Sequence, residues 1–192
     1  MFTTLFSITT GYLLGSILGA VWTCRWFRLP NPAQSGSGNP GATNIYRIGG
    51  LLPALLTLTW DAAKGAIAVS IAHAIHAQGI VPLLVVLACV TGHVFPVFHR
   101  FQGGKGVATA MGACLIIAPE TTLILILVWS ALIYWRRISS LASLSAAGLS
   151  PWIAAYYNPD AVPLFAMLAL FLFIRHRDNI VRLVNRRERP LE

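Results

Sequence analysis

The sequence predicts an all-α, polytopic membrane protein of seven transmembrane helices, its N-terminus outside and its C-terminus cytoplasmic. Three observations carry that expectation. Of the 192 residues 56% are hydrophobic and only 10% charged, with a mean hydropathy of +0.70, whereas a soluble domain carries about 25% charged residues. The apolar residues fall in long runs parted by short polar ones, the pattern of membrane-spanning segments. The cations lie on one side of those runs.

The runs occupy residues 5–23, 51–73, 81–98, 107–118, 121–135, 141–157 and 161–174. The first does not read as a cleaved signal peptide. No Lys or Arg precedes it, and its flanking charges, Arg25 and Arg28, follow it. The fourth and fifth fall short of the roughly 20 residues a straight crossing needs. Only Pro119 and Glu120 part them, so a tight helical hairpin is expected, with a re-entrant pair as the alternative. No soluble domain, low-complexity tail or long-period repeat interrupts the pattern, and residues 1–192 read as one transmembrane domain.

Orientation follows from charge. Of 14 Lys and Arg, Lys64 lies inside the second run, and the other 13 lie on the side reached by the C-terminal ends of the odd-numbered runs. The opposite loops hold Glu120 and Asp160 and no cation. By the positive-inside rule the cationic side is cytoplasmic. The net charge of +8 therefore marks topology, and no nucleic-acid partner is expected. The same side collects the long polar stretches SGSGNPGATN (35–44), HRFQGGKG (99–106) and RHRDNIVRLVNRRERP (175–190). Ser139, Ser140 and Ser143 stand at the mouth of the sixth run on that side. The outer loops are short: HAQG, PE and NPD.

Two of these stretches suggest anion binding. Gly103, Gly104 and Gly106 surround Lys105 just before the fourth run. Glycines let an anion approach the backbone, and a helix start favours negative charge. This is not a P-loop, because no Ser or Thr follows the lysine. The run from Ser35 to Asn44 offers amides, hydroxyls and carboxamides, and Arg47 follows it. Two such loops on one face predict a site for phosphate-bearing molecules.

Other residues read more plainly. There is no G-x-S-x-G nucleophile elbow, no His followed five positions later by Asp, and no paired acids for a divalent metal. No metal or cofactor is expected. Asp61 and Lys64, three apart, are expected to pair within the membrane. His73 and His76 read as structural and His93 as an interhelical hydrogen-bond partner, which leaves His99 and His176 as the better candidate bases. Cys24, Cys89 and Cys114 read as small buried hydrophobes. Trp22, Trp26, Trp129, Trp135, Trp152, Tyr156 and Tyr157 read as interface anchors.

SGSGNPGATN, GHVFPVFHRFQGGKGVAT (92–109) and RHRDNIVRL resemble the three signature blocks of the bacterial acyl-phosphate:glycerol-3-phosphate acyltransferases. WDAAKG (60–65) is similar to another recurrent segment of that family, and SSLASL (139–144) to its serine segment. With the seven runs in the same order, the resemblance covers essentially the whole chain. The chain departs from it at Arg186 and Arg187, where many members have a glycine before the glutamate kept here as Glu188. It also departs at Pro30–Pro32, where Asp-Pro is common.

The resemblance implies transfer of a fatty acyl group from acyl phosphate to the 1-hydroxyl of glycerol 3-phosphate. The products would be lysophosphatidic acid and phosphate, made at the cytoplasmic face of the bacterial inner membrane. It implies the two substrates and membrane lipid as partners, with no obligate protein partner. Ser37, Gly38, Asn39, Thr43, Asn44 and Lys105, with the amides of Gly103, Gly104 and Gly106, would hold phosphate. Arg47, His176 and Asn179 would complete the pocket, and Ser140 and Ser143 would border it. Lys105, His176, Asn179 and Ser37 are the implied catalytic set, with the base either His176 or the donor's phosphate. A transporter of phosphorylated solutes would use similar loops, but it needs a polar route to the far side, and the outer half offers almost no donors. A non-catalytic lipid-binding protein would explain the arginines and leave the glycine-rich loops unexplained.

Overall fold

A computed structural model describes residues 2–191, and among them every regular element is a helix. The chain forms two compact units, one up to Ile117 and one from Ala118 onward. The first holds α1 (Phe2–Gly15), α2 (Gly19–Trp26), α3 (Ala42–Gly49), α4 (Leu51–Ala74), α5 (Val81–Val94), a 3-10 turn at Val97–His99, and α6 (Val107–Ile117). The second holds α7 (Pro119–Arg136), α8 (Ser139–Tyr157), a 3-10 turn at Pro159–Ala161, α9 (Val162–Arg175) and α10 (Arg177–Val184).

All seven apolar runs are helical. By length and hydropathy, Phe2–Trp26, Leu51–Ala74 and Val81–His99 are sufficient to cross a membrane. Pro159–Arg175 and Arg177–Val184, bent by 66°, make a fourth candidate if counted together. The fourth run, α6, is only 11 residues long.

Three features depart from the sequence expectation. The first run is not continuous: α1 ends at Gly15 and α2 begins at Gly19. Ser16 turns its hydroxyl back to the Tyr12 carbonyl at 2.9 Å, a local bond that competes with helix continuation. The polar stretch 35–44 is not all loop, since α3 starts at Ala42. There Ile45 packs with Ala20, Cys24 and Ala54, backed by Leu29, Tyr46 and Ile48. Trp129 is not a free interface anchor; its indole N–H donates to Ser143 Oγ at 3.1 Å. The other tryptophans and tyrosines of that group are exposed, and all three cysteines are free and buried.

Small residues set the packing of the first unit. Gly11 and Gly15 of α1 face Val85 and Cys89 of α5, and Gly92 returns the contact against Tyr12 and Ser16. Gly65 of α4 meets Thr109, and Gly112 of α6 meets Ala62. A Cβ at Gly15, Gly65, Gly92 or Gly112 would overlap the facing backbone carbonyl. This is the close backbone approach by which membrane helices associate where no hydrophobic effect drives them together. In the second unit α8 packs between α7 and α9. Asn158, at its end, accepts from the Thr121 hydroxyl at 2.6 Å and so ties down the start of α7.

Candidate active site

The break between α1 and α2 exposes backbone groups that must be satisfied away from water. Residues from α4 do this. Lys64 Nζ donates to the Ile17 carbonyl at 2.8 Å, and Gly19 N–H donates to Asp61 Oδ1 at 3.2 Å. Lys64 and Asp61 pair with each other at 2.8 Å. His93 Nδ1 stands 2.9 Å from Lys64 Nζ and 3.2 Å from Thr109 Oγ1. Asp61, Lys64 and His93 are all buried. The intramembrane pair read from the sequence is therefore real. His93 is the interhelical hydrogen-bond partner expected of it, whereas the contacts of the pair to the broken helix at Ile17 and Gly19 lie beyond what the sequence shows.

From His93 the network passes to the glycine-lysine loop. Gly103 N–H donates to the Val94 carbonyl at 3.2 Å and Gly104 N–H to the His93 carbonyl at 3.1 Å. Those two amides, expected to hold phosphate, are spent on the last carbonyls of α5, which a helix end leaves orphaned. Glycine is required for packing: a Cβ on Gly104 would overlap His93 Nε2, and one on Gly103 would overlap the His93 carbonyl. Gly106 adopts φ +83° and caps α6, its carbonyl accepting from Ala110 N–H at 2.8 Å. The loop then offers an anion half-buried Lys105 and the first-turn amides of α6.

The serine-glycine loop is organised by Asn44. Its Oδ1 accepts from Ser37 N–H at 2.7 Å, and its Nδ2 donates to the carbonyls of Pro32 and Ser35, both at 2.9 Å. Asn44 is buried. The phosphate contact expected of it is thus corrected to a loop-shaping role, because the fold itself takes both ends of its carboxamide. Gly36 and Gly38 adopt φ +63° and +71°, left-handed conformations in which glycine carries no Cβ penalty. Ser37, Gly38 and Arg47 are exposed, and Asn39 and Thr43 are half-buried. The two glycine-rich loops meet: the Pro40 carbonyl lies 3.1 Å from where a Cβ on Gly104 would sit.

The second unit places Ser140, Ser143, His176 and Asn179 as follows. Ser143 accepts the Trp129 bond. His176 is buried where α9 gives way to α10, its Nδ1 2.8 Å from the Leu172 carbonyl. Only a protonated Nδ1 can make that bond, which leaves Nε2 as the acceptor of the neutral ring. Ser140 Oγ and Asn179 Nδ2 both donate to Glu188 Oε1, at 2.8 and 2.5 Å, while Arg182 Nε donates to Glu188 Oε2 at 2.6 Å. Burial pushes the Glu188 carboxyl up, yet the bonds from Arg182, Asn179 and Ser140 outweigh it and hold it below the ordinary carboxylate range. Glu188 is the organising residue that the site reading missed. Its signal was an acid kept among Arg182, Arg186, Arg187 and Arg189.

Known proteins show the same arrangement of sequence and fold. The family profile described as glycerol-3-phosphate acyltransferase matches residues 5–186. A glycerol-3-phosphate acyltransferase of Hahella chejuensis is 56% identical over 190 residues, covering 99% of this chain and 98% of the relative. One of Idiomarina loihiensis is 43% identical, covering 98% and 96%. The crystal structure of PlsY (YgiH), an integral membrane glycerol 3-phosphate acyltransferase, matches in its glycerol 3-phosphate form. The TM-score is 0.90 at 36% identity, over 98% of this chain and 96% of that one. Its lysophosphatidic acid form matches with a TM-score of 0.85 at 36% identity, over 97% and 94%. The chain belongs to the glycerol-3-phosphate acyltransferase family of integral membrane proteins.

Proposed function

We propose that this protein transfers a fatty acyl group from acyl phosphate to the 1-hydroxyl of glycerol 3-phosphate, giving lysophosphatidic acid and inorganic phosphate. Family membership supports glycerol 3-phosphate as the acceptor. The observation that carries the phosphate reading is the meeting of the two glycine-rich loops beside Lys105. In the reaction the 1-hydroxyl oxygen bonds to the acyl carbonyl carbon. The bond from that carbon to the phosphate oxygen breaks, its electron pair leaves with phosphate, and the hydroxyl proton goes to a phosphate oxygen of the donor. An acyl phosphate is a mixed anhydride, already activated, so positioning and charge neutralisation do most of the work.

In this reading Lys105, Ser37, Asn39 and Thr43 hold phosphate, with the amides that open α6. Arg47, His176 and Asn179 bind substrate, and Glu188 fixes Asn179 and Ser140. The donor's chain lies in the bilayer, where burying each CH₂ contributes about 0.8 kcal/mol. The purified protein, given glycerol 3-phosphate with acyl phosphate, acyl-CoA or acyl carrier protein, is expected to turn over only acyl phosphate. Comparable turnover with acyl-CoA would refute the donor assignment.

The reading includes one seven-span domain over residues 1–192 in the bacterial inner membrane, with its active site facing the cytoplasm. Single cysteines replacing Asn158 and Arg187, in a background without the native three, report the topology. Position 158 should react with an impermeant maleimide in intact cells, and position 187 only after permeabilisation. Labelling of both from one side would revise the number of crossings.

A further inference from the structure

One pocket in the first unit is walled in part by Pro32, Pro40 and Gln102, beside the two glycine-rich loops. It has a volume of about 640 Å³ and opens where α2 ends and where the 3-10 turn after α5 begins, a size suited to a small ligand. Leu18, Val21 and Cys24 give it an apolar floor, while Arg25, Arg28, His99 and Arg100 line it with cationic and titratable groups. None of the side chains assigned above to substrate phosphate lines it.

Three properties point to an anionic ligand. Arg25, Arg28 and Arg100 share the pocket, are exposed, and make no ion pair among the described residues. Like charges gathered without a counter-charge repel, and an anion relieves that repulsion. Arg100 and Phe101 are successive left-handed residues, φ 52° and 59°, a conformation that costs non-glycine residues and tends to persist at ligand clamps. Trp22, Trp26, Phe98 and Phe101 are exposed beside the pocket, as expected of side chains seated at the membrane interface.

We propose that this pocket is a second anion site, filled by the headgroup of an anionic phospholipid from the surrounding bilayer. The phosphodiester sits among Arg25, Arg28 and Arg100, and the glycerol backbone and first chain carbons lie on Leu18, Val21 and Phe98. The apolar floor and aromatic surround favour a lipid over a soluble phosphate, which would leave that surface unused. Basic pockets at the ends of membrane helices recognise anionic lipid in this way.

Native mass spectrometry of the full-length protein in micelles, titrated with phosphatidylglycerol or phosphatidylcholine, tests the site. The wild type is expected to bind one phosphatidylglycerol in roughly hundredfold preference to phosphatidylcholine, about fivefold for each cation. Arg25→Gln/Arg28→Gln/Arg100→Gln should lose that preference while keeping its turnover at saturating substrate. Arg100→Gln alone should lose about fivefold and serves if the triple variant does not insert. Inorganic phosphate and glycerol 3-phosphate should not displace the lipid. Equal binding of the two lipids by the wild type, an unchanged preference in the variants, or displacement by inorganic phosphate would each overturn the proposal. Because the readout is lipid retention, a failure leaves the acyl-transfer reading standing.

Discussion

Lys105→Ala is expected to lower kcat by roughly 10²–10³, the loss seen when one preorganised donor is removed from a developing oxyanion. Lys105 is half-buried between Gly104 and Gly106, on a loop whose glycine amides are tied to the end of α5. The backbone from which Lys105 projects is thus fixed, so an ammonium that reaches the phosphate from it acts from a preorganised position. If the ammonium meets charge that grows on the departing phosphate, kcat and kcat/KM should fall together. A rise in KM with kcat unchanged would mean that Lys105 only binds ground-state phosphate. Steady-state kinetics with each substrate varied separates the two outcomes.

Lys64→Met should destabilise the protein by about 3–5 kcal/mol, the usual cost of stripping one partner from a buried ion pair. The variant leaves Asp61 buried without its cation, the Ile17 carbonyl without its donor, and His93 without one of its partners. Asp61→Asn/Lys64→Met removes the stranded charge while keeping an acceptor for Gly19 N–H, so it should recover part of the loss. Unfolding in mixed micelles measures both. A Lys64→Met variant as stable as wild type would show that the break between α1 and α2 does not depend on the network.

Much of this was legible in the sequence, for physical reasons that also explain the misses. The seven helical runs follow from composition, because a backbone among lipids must satisfy its own hydrogen bonds. Asp61 and Lys64 were readable as a pair because their spacing puts them on one helix face. That they also satisfy Ile17 and Gly19, far off in sequence, was not readable: periodicity reports faces, not partners. The glycine-rich loops were recognised, but composition cannot say whether an amide faces a ligand or a neighbouring helix end. Gly103 and Gly104 cap α5, and Asn44 holds its own loop. Glu188 was hidden in an arginine-rich tail. Its importance lies in the convergence of Ser140, Asn179 and Arg182 on one carboxylate, which the linear order does not display.

The central claim is that catalysis rests on charge neutralisation and positioning, with the donor's phosphate taking the proton. Its most direct test is kcat against pH for wild type and His176→Asn, with substrate affinities measured alongside. His176 is buried, and its protonated Nδ1 leaves Nε2 as the one ring atom able to take a proton. His176→Asn is expected to bind substrate more weakly yet keep appreciable turnover at saturation. Any wild-type pH dependence near the ordinary histidine pKa of about 6.5 should survive in the variant. Loss of nearly all turnover together with that titration, at unchanged affinity, would make His176 the base and contradict the account.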